Sequence, residues 1–469
     1  MANDLSQWSG KRLHFIGIGG AGMSGIARVL LARGIEVSGS DAKDSRRLQA
    51  LKPLGGKVFV GHDADNLIIS GSNPSCLVIS TAIGKDNPEV LRANELGIPV
   101  VSRAVALAEL LENSTAISVA GTHGKTTTTV MTTDALTAAG HEPTGVVGGR
   151  VALWAGNLRL GGDTYVVEAD EYDRSFLALD PAVAVVLNVE ADHLDIYRDL
   201  DDIMRTFEQY LAPARVIVRC ADDDGAMALR IASRHEVIAY SATAPGTVPS
   251  THAAEARLVA GDLVLDTMGS HFHVIFDGDD LGPVHLSVPG LHNVRNAMAA
   301  LGAGLALGCT VPTMAPGLAA FRGVERRFQR LGSGQGIEVV DDYAHHPTEV
   351  RATIAAARHA FPGRRLVLAF QPHLYSRTRD LQVDFAEALG AADIVLLCDI
   401  YGAREVPEPG VTSALIGDRI TAGVLHWHGP RSHAAEALRA VVRAGDVVVT
   451  MGAGDITKTG PELLEALRG

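Results

Sequence analysis

The chain has 469 residues, of which 47 % are apolar and 20 % charged, enough to build about three globular domains of ordinary size. Acidic side chains outnumber basic ones by 54 to 41, and the formal net charge of −13 argues against proteins that bind nucleic acids or anionic membranes through clusters of Lys and Arg. The four cysteines are widely spaced without a C-x-x-C pair, the N-terminal stretch MANDLSQWSGKRLHF has no apolar signal-peptide core, and no apolar run of ~18 residues occurs, which together favour a soluble cytoplasmic protein with reduced thiols.

The first predicted unit begins with a strand that runs into a glycine-rich turn. The stretch RLHFIGIGG is followed by a segment with helical apolar spacing and then by EVSGSD, which ends in Asp41. Glycines at such a turn let the backbone approach a diphosphate at the start of a helix, and Asp41 has the position of a ribose-binding acid. Nicotinamide binding, UDP binding and a turn without a ligand all remain open, with a diphosphate favoured. The alternation of strands and helices continues to about residue 113.

A second unit starts with the strand AISVA, the loop GTHGKT and a threonine-rich helix. The loop ends as a phosphate-binding loop does, in Gly124, Lys125 and Thr126, although Val119 stands where the pattern G-x-x-x-x-G-K-[ST] has its first glycine. A loop between a strand and a helix presents unpaired backbone N–H groups to an anion. Lys125 would reach the outer phosphates and Thr126 would ligate Mg²⁺, so this segment predicts nucleotide binding.

Acids and a histidine follow the next two valine-rich strands. Glu168 ends the strand TYVVE, and His193 comes after VLNVEAD. The carboxyl ends of parallel strands gather at the edge of a sheet where the phosphate loop also lies. Because Mg²⁺ on a nucleotide keeps several waters and takes one or two protein ligands, Glu168 and His193 are candidate metal residues. Further on, residues 240–290 predict an antiparallel excursion and residues 292–308 a helix.

The third unit begins near FRGVERRFQ and again alternates strands with helices. Arg326 or Arg327, entering from a neighbouring domain, would neutralise a transferring phosphoryl group, although a solvated or salt-bridged pair fits equally well. In DDYAHHP the adjacent His345 and His346 cannot readily share one ion, and no partner spacing predicts zinc, so a substrate-facing loop before a helix is favoured. Arg377, in FQPHLYSRTRD, would clamp a carboxylate. The final MGAGD is either a ligand turn or a close-packing turn.

The chain resembles the Mur ligase family over nearly its whole length, because it carries in order the motifs GIGGAGMSG, AGTHGKTTT, EADEYD, NVEADHLD, GLHNVRNA, GVERRFQ, DDYAHHP and FQPHLYSRTRDL. The family's own ATP loop reads G-T-x-G-K-[ST], so Val119 is no departure. The resemblance implies an α/β fold of three domains. These are an N-terminal Rossmann-like domain that binds a UDP-sugar (1–113), a central ATP-binding domain of the P-loop ATPase type with a mostly parallel sheet (114–323), and a C-terminal Rossmann-like domain that binds an amino acid (324–469).

The resemblance also implies an activity, the ATP-dependent joining of L-alanine to the lactyl carboxylate of UDP-N-acetylmuramate in peptidoglycan precursor synthesis. The reaction would pass through an acyl phosphate and release ADP and phosphate. ATP and Mg²⁺ are the implied cofactors, and we expect small-molecule substrates, no nucleic acid, no membrane insertion, and a monomer or homodimer. The alternatives are a ligase that recycles a preformed tripeptide onto the same UDP-sugar, a nicotinamide-dependent oxidoreductase, and a non-catalytic nucleotide sensor.

Residue by residue, the resemblance assigns four groups of side chains. Those for ATP are Gly121, Thr122, His123, Gly124, Lys125, Thr126, Thr127, His292, Asn293, Asn296, Arg326 and Asp341 (or Asp342). Those for the UDP-sugar are Gly17, Gly19, Gly20, Gly22, Met23, Ser24, Asp41, His62 and Ser80. Those for the muramoyl carboxylate and amino acid are Tyr343, His345, His346, His373 and Arg377. The catalytic set is Lys125, His193, Arg326 and His345, and the metal set is Thr126, Glu168 and His193. Leu374 departs from the family pattern, because many relatives have an arginine there, and this puts selectivity for alanine in question.

Overall fold

A computed structural model of the protein describes Trp8 and residues 10–80, 82–194, 196–403, 405–420 and 425–468. The first seven residues, part of the segment predicted to lack a signal peptide, lie outside this range. The described strands form three separate sheets of five, ten and six strands, so the predicted three-domain α/β fold is confirmed. Among the described residues, no helix combines the length and apolar composition that crossing a bilayer requires.

The N-terminal sheet is parallel throughout. Its strands are β1 (Arg12–Ile16), β2 (Glu36–Asp41), β3 (Lys57–Val60), β4 (Cys76–Ile79) and β5 (Val100–Ser102). Its helices are α1 (Ala21–Ala32), α2 (Arg46–Gln49), α3 (Pro88–Glu95) and α4 (Arg103–Leu111). The strand order is β3-β2-β1-β4-β5, as in a Rossmann-like unit. The order reverses between β1 and β4, and the glycine-rich turn after β1 lies at this switch point.

The central sheet has ten strands and carries the phosphate loop. Its strands are β6 (Thr115–Ala120), β7 (Thr144–Val151), β8 (Gly156–Arg159), β9 (Thr164–Glu168), β10 (Val183–Val186), β11 (Val216–Cys220), β12 (Glu236–Ser241), β13 (Leu258–Leu265), β14 (Ser270–Phe276) and β15 (Asp279–Leu286). Its helices are α5 (Lys125–Ala138), α6 (Leu200–Leu211), α7 (Asp224–Ala228), α8 (Leu291–Ala306) and α9 (Val311–Ala320). The strand order is β15-β14-β13-β12-β11-β10-β6-β9-β7-β8, and the antiparallel hairpins β13–β15 confirm the predicted excursion.

The C-terminal sheet is parallel apart from its edge strand. Its strands are β16 (Gln329–Gly334), β17 (Ile337–Asp342), β18 (Leu366–Phe370), β19 (Ile394–Cys398), β20 (Leu425–Gly429) and β21 (Val447–Met451). Its helices are α10 (Pro347–Ala360), α11 (Tyr375–Asp380), α12 (Gln382–Leu389), α13 (Ala414–Gly417), α14 (Ala434–Val441) and α15 (Thr459–Arg468). The strand order is β16-β17-β21-β18-β19-β20, and β16 pairs antiparallel with β17.

The cores follow from the valine-rich strands, which are buried on both faces because helices cover the sheets. One apolar cluster runs without a break from the N-terminal unit into the central one, and Met23 and Ile26 of α1 belong to it together with Val146 and Leu158. Asn157 Nδ2 also donates to the carbonyl of Ala21 at 2.6 Å. The N-terminal and central units therefore share one continuous apolar core.

Candidate functional site

The phosphate loop joins the end of β6 to the start of α5 and depends on two glycines. Gly121 has φ +141° and Gly124 has φ +86°, in the region that favours glycine. A Cβ on Gly121 would lie 3.0 Å from Leu187 Cβ, and one on Gly124 would lie 2.7 Å from Asn296 Oδ1. The loop is therefore enclosed by the end of β10 on one side and by α8 on the other.

Lys125 opens α5, and its ammonium group is held inside the loop. Its Nζ donates to Glu171 Oε2 at 2.8 Å and to the carbonyl of Gly121 at 2.6 Å. Burial disfavours the charged ammonium, but Glu171 and Asp170 outweigh it and raise the pKa of Lys125. Burial raises the pKa of Glu171 to about 7, against the influence of Lys125. The carboxylate of Glu171 thus pairs with the lysine that a phosphate group would bind. Glu171 is not among the residues predicted for the ATP site.

The predicted metal residues lie on both sides of the phosphate loop, because β6 sits between β9 and β10 in the sheet. Glu168 accepts from the N–H of Gly148 at 2.9 Å. Burial raises the pKa of Glu168, and the Gly148 N–H and the Thr126 hydroxyl oppose that shift. His193 has φ +55°, its buried Nδ1 has no hydrogen-bond partner among the described residues, and burial lowers its pKa. The hydroxyl and carboxylate oxygens fit Mg²⁺, and a neutral imidazole fits the role of an additional ligand.

A cavity of about 220 Å³ lies between the central and C-terminal units, beside the phosphate loop. The predicted nucleotide residues that line it are His123, Gly124, Thr127, His292, Asn293 and Asn296. Burial, together with Arg295 and Arg327, lowers the pKa of His292 to about 4, so its ring is neutral near pH 7. The cavity is also lined by Arg327 and Asp342, named above as alternatives to Arg326 and Asp341, and by residues without a predicted role there: Asn188, Glu190, Asp222, Asp223, Arg295, Thr348 and Glu349. Asp222 and Asp223 follow the buried β11, so the strand-end rule that selected Glu168 would have found them.

The arginine pair at the start of the third unit divides in a way that differs from the prediction. Arg326 does not line the cavity; its Nη2 donates to the carbonyl of Gly452 at 2.5 Å, and its guanidinium lies 4.7 Å from the centre of the Tyr343 ring. Arg327 lines the cavity and pairs with Glu349 at 3.2 Å. Of the two arginines, Arg327 is therefore the one that lines the cavity, and the roles predicted for Arg326 in ATP binding and catalysis stay predictions. In the MGAGD segment the carbonyls of Gly452 and Gly454 accept from Arg326, and a Cβ on Gly452 would lie 2.6 Å from the carbonyl oxygen of Gln371.

The two acids at the end of β17 divide in the same manner. Asp341 is 1 % exposed and accepts from the hydroxyls of Thr450 at 2.6 Å and Thr457 at 2.7 Å, inside the C-terminal unit. Asp342 lines the cavity, and burial raises its pKa to about 6, opposed by Arg327. Successive side chains of a strand point to opposite faces, so one of two adjacent acids has to face away. Of the two acids named as alternatives, Asp342 is the one that lines the cavity.

The predicted UDP-sugar residues surround the glycine turn after β1. Gly17 has φ +76°, and the Gly19 N–H donates to Asp41 Oδ2 at 2.9 Å, so Asp41 closes the turn. A Cβ on Gly19 would lie 2.9 Å from the same carboxylate oxygen. Met23 is 2 % exposed inside the apolar core, and the Ser24 hydroxyl donates to the carbonyl of Ala21. The side chains of Met23 and Ser24 thus face inward, and their predicted role in UDP-sugar binding stays a prediction.

The other predicted UDP-sugar residues lie along the carboxyl edge of the same sheet. A Cβ on Gly20 would lie 3.2 Å from the carbonyl of Gly17, and Gly22 lies against the side chain of Arg103. His62 Nδ1 is 2.9 Å from the Ser40 hydroxyl at the end of β2. Ser80 directly follows β4.

The predicted muramoyl and amino-acid residues form two groups. The His345 ring lies 5.1 Å from the Tyr343 ring and 5.8 Å from the His373 ring, and His345 Nδ1 lies 3.0 Å from Glu349 Oε2. His346 faces the other way, and its ring centre lies 4.7 Å from that of His123 in the phosphate loop.

Arg377, predicted to clamp a substrate carboxylate, pairs in this structure with a carboxylate of the protein itself. Its Nη2 donates to Asp192 Oδ1 at 2.6 Å across the boundary between the central and C-terminal units, and both side chains are at least nine-tenths buried. Burial opposes the charge of Asp192, yet Arg377 holds the pKa of that carboxyl well below its usual range.

Three family models match consecutive segments of the chain. The model described as Mur ligase family, catalytic domain, matches residues 12–115; the Mur ligase middle domain matches residues 119–304; and the Mur ligase, glutamate ligase domain, matches residues 326–454.

Curated proteins and solved structures resemble the chain over almost its full length. UDP-N-acetylmuramate–L-alanine ligase of Saccharopolyspora erythraea is 46 % identical, with 97 % of this chain and 93 % of that protein covered, and the Streptomyces coelicolor protein of the same name is 46 % identical with 97 % of each covered. The crystal structure of UDP-N-acetylmuramate–alanine ligase from Thermotoga maritima matches with a TM-score of 0.78 and 27 % identity over 97 % of this chain and 99 % of that one. A murein peptide ligase from Psychrobacter arcticus matches with a TM-score of 0.69 and 25 % identity over 97 % and 98 %.

Proposed function

The chain belongs to the Mur ligase family, and on that premise we propose that it is the ATP-dependent ligase that joins L-alanine to the lactyl carboxylate of UDP-N-acetylmuramate. The curated relatives named above carry this activity in their names at 46 % identity, which favours L-alanine over a preformed tripeptide as the second substrate. A nicotinamide-dependent oxidoreductase would use the N-terminal unit alone and leave the central and C-terminal units without a role, so this alternative is excluded.

One observation carries the proposal: the phosphate loop, with Lys125 at its end, borders a cavity closed by the C-terminal unit. We propose that ATP binds there with its adenine near His292 and Asn296 and its phosphates in the loop. The γ-phosphate would displace Glu171 from Lys125, since a phosphate is the stronger anionic partner for an ammonium in a loop lined by N–H groups.

We propose that each structural unit holds one substrate. Residues 1–113 would bind the UDP-sugar at the glycine turn, residues 114–323 would bind ATP, and residues 324–469 would bring the amino acid. Thr126 and Glu168 would hold Mg²⁺, with His193 as a further ligand; the ion would neutralise charge on the phosphates. We further propose a cytoplasmic enzyme that acts as a monomer or homodimer.

The chemistry solves the problem that a carboxylate is a poor acceptor for an amine. In the first step a carboxylate oxygen of the lactyl group attacks the γ-phosphorus, a new O–P bond forms, and the bond to the β-phosphate oxygen breaks to release ADP. In the second step the amine of L-alanine attacks the acyl carbon, the C–N bond forms, and phosphate leaves. Lys125 and Arg327 stabilise the transferring phosphoryl group, and positioning supplies most of the remaining rate enhancement.

The amine proton needs an acceptor, and we propose His345. Its Nδ1 lies 3.0 Å from both the carbonyl oxygen of Tyr343 and Glu349 Oε2, which orient the ring and leave Nε2 for the substrate side. Leu374, where many relatives have arginine, is 3 % exposed and lines a small cavity with Asp192 and Arg377. An apolar wall there suits the methyl group of alanine, whereas orientation of the alanine carboxylate would fall to Arg377.

The proposed reaction is tested by measuring ADP formation with UDP-N-acetylmuramate and a panel of amino acids and peptides. We expect turnover with L-alanine and none with the tripeptide. Lys125→Ala should lower kcat by about 10³-fold or more, since it removes a charge that acts on the transferring phosphoryl group. UDP-sugar binding by calorimetry should stay within a factor of two. Amide formation at the wild-type rate by this variant would refute the assignment of the ATP site.

A further inference from the structure

Three side chains from distant segments meet where the phosphate loop touches the C-terminal unit. His123 lies in the loop, Glu190 follows β10, and His346 precedes α10. His123 Nε2 and His346 Nδ1 lie 3.8 Å and 3.6 Å from the same atom, Glu190 Oε2. One ligand atom from each residue falls within 4.8 Å of the others, and no other group of three His, Cys, Asp or Glu side chains in the described part of the chain is as close.

Hydrogen bonding does not account for this cluster. Both separations from Glu190 exceed the range of hydrogen bonds. Among the described residues, His123 Nε2 is buried and has no hydrogen-bond partner, and His346 Nδ1 accepts a 3.4 Å hydrogen bond from the Thr348 N–H at the start of α10. The His346 side chain is 6 % exposed. Buried polar atoms in native structures nearly always have partners, so His123 Nε2 is available to bind a further group.

The surroundings resemble the outer shell of a metal site. Glu349 Oε1 lies 3.3 Å from His123 Nδ1, so a carboxylate binds the ring nitrogen that faces away from the cluster. The Thr348 hydroxyl donates to Glu190 Oε2 at 2.6 Å and fixes that carboxylate. Metal-binding histidines usually carry such a carboxylate on the second nitrogen, because it fixes the tautomer and the orientation of the ring.

We propose that His123 Nε2, Glu190 Oε2 and His346 Nδ1 bind a divalent ion of the zinc class, with water completing the coordination. Two imidazoles and one carboxylate are a zinc ligand set, whereas Mg²⁺ is bound mainly through oxygen donors and its own waters. Bonds of ~2.1 Å around a tetrahedral ion separate the ligand atoms by about 3.4 Å, so each atom moves by less than about 1 Å. The objection that adjacent His345 and His346 cannot share one ion does not apply, because His345 takes no part.

The ion would link the phosphate loop to the start of α10 and so join two units of the molecule. Its ligands come from both units, so it binds only when they are in contact. Binding to that arrangement alone stabilises it by mass action. Zn²⁺ is therefore expected to raise the melting temperature of the protein and to oppose separation of the central and C-terminal units.

The test uses the full-length protein freed of metal by a chelator, which is then removed, without nucleotide or sugar. This measurement is therefore independent of the proposed reaction. Co²⁺ is titrated and followed by its visible absorption, and Zn²⁺ by calorimetry and thermal unfolding. We expect one ion per chain at this site, with tetrahedral cobalt absorption. His346→Gln and Glu190→Gln should each weaken binding at least tenfold and abolish the rise in melting temperature.

The control is His271→Gln, in a surface pair with the same chemistry. His271 stacks on His285 with ring centres 4.3 Å apart and lies 3.4 Å from Asp266. This variant should bind the ion as the wild type does. Unchanged affinity in both site variants, or loss of binding in His271→Gln, would overturn the proposal. Circular dichroism identifies any variant that fails to fold. If one of the two site variants does not fold, the ion affinity of the other decides whether the proposal holds.

Discussion

At the scale of single residues, neighbours in the chain serve different parts of the molecule. Arg326 and Asp341 form hydrogen bonds within the C-terminal unit, while Arg327 and Asp342 line the cavity between the central and C-terminal units. Which of two neighbouring residues lines the cavity depends on the direction in which each side chain extends from the backbone, and residue type alone does not predict that direction.

The arginine pair offers a direct test of this division. Arg327→Gln should raise the KM for ATP about tenfold or more, because it removes a charged group from the cavity. Arg326→Gln should instead lower the free energy of unfolding by about 1–3 kcal/mol through loss of its bond to Gly452. Steady-state kinetics and denaturant unfolding of the two variants separate the effects. The reverse pattern would restore Arg326 as the nucleotide contact.

His123 should make stability depend on pH. Burial lowers its pKa, but Glu349 and Glu190 outweigh burial and raise the pKa to about 9, above the ~6.5 of an unfolded chain. A raised pKa gives stabilisation that is fully present below about pH 6.5 and is lost as pH rises through about 9, at most on the order of 3 kcal/mol.

The measurement compares melting temperatures of metal-free wild type and His123→Gln from pH 6 to pH 9.5. The wild type should have the higher melting temperature at pH 6, and the difference in melting temperature between the two proteins should decrease at alkaline pH. His433→Gln, at an exposed position, should follow the wild type throughout. If the melting temperature of the wild type exceeded that of His123→Gln by more as the pH rises, a protonated His123 in the folded protein would be contradicted.

At the scale of elements, α5 forms despite its run of threonines. Threonine is not a strong helix former, but the hydroxyls of Thr132, Thr133 and Thr137 donate to carbonyls four residues back. The helix is also largely buried between the sheet and α8. Packing therefore stabilises the element that presents Lys125, more than intrinsic propensity does.

The two glycines that flank α5 allow a matched comparison. Gly124 and Gly140 have nearly equal φ of +86° and +87°, but a Cβ would clash only at Gly124, 2.7 Å from Asn296 Oδ1, whereas Gly140 has open space. Gly140→Ala should cost about 1 kcal/mol of unfolding free energy. Gly124→Ala should cost more than that and weaken ATP binding severalfold. Equal effects in both assays would show that the loop adapts to the added methyl group.

At the scale of the whole molecule, the two joints between units differ in chemistry. The N-terminal and central units share an apolar cluster, whereas the central and C-terminal units meet through polar contacts such as Thr348 with Glu190 and Arg377 with Asp192. Polar joints exchange protein partners for water at little net cost. Movement is therefore expected at the second joint, where ligands would enter.

Asp192→Asn tests that joint. It leaves the buried Arg377 without a carboxylate, a loss that costs about 3–5 kcal/mol in typical buried pairs. We expect a larger radius of gyration by small-angle X-ray scattering and a lower melting temperature. The control is Arg150→Gln, which breaks the more exposed pair of Arg150 with Glu325 and should cost no more than about 1 kcal/mol. Scattering identical to the wild type in Asp192→Asn would show that this pair does not hold the units together.

The sequence by itself determined the alternation of strands and helices, the antiparallel excursion, the phosphate loop and the family. These features can be inferred without knowledge of distant contacts, because they depend on the local spacing of apolar residues and on short motifs that are continuous in the chain. Only the tertiary structure decided that Arg327 and Asp342 face the cavity, that Glu171 holds Lys125, and that Asp192 binds Arg377. It alone brought His123, Glu190 and His346 together, because contacts between residues far apart in the chain depend on how whole sheets and domains pack.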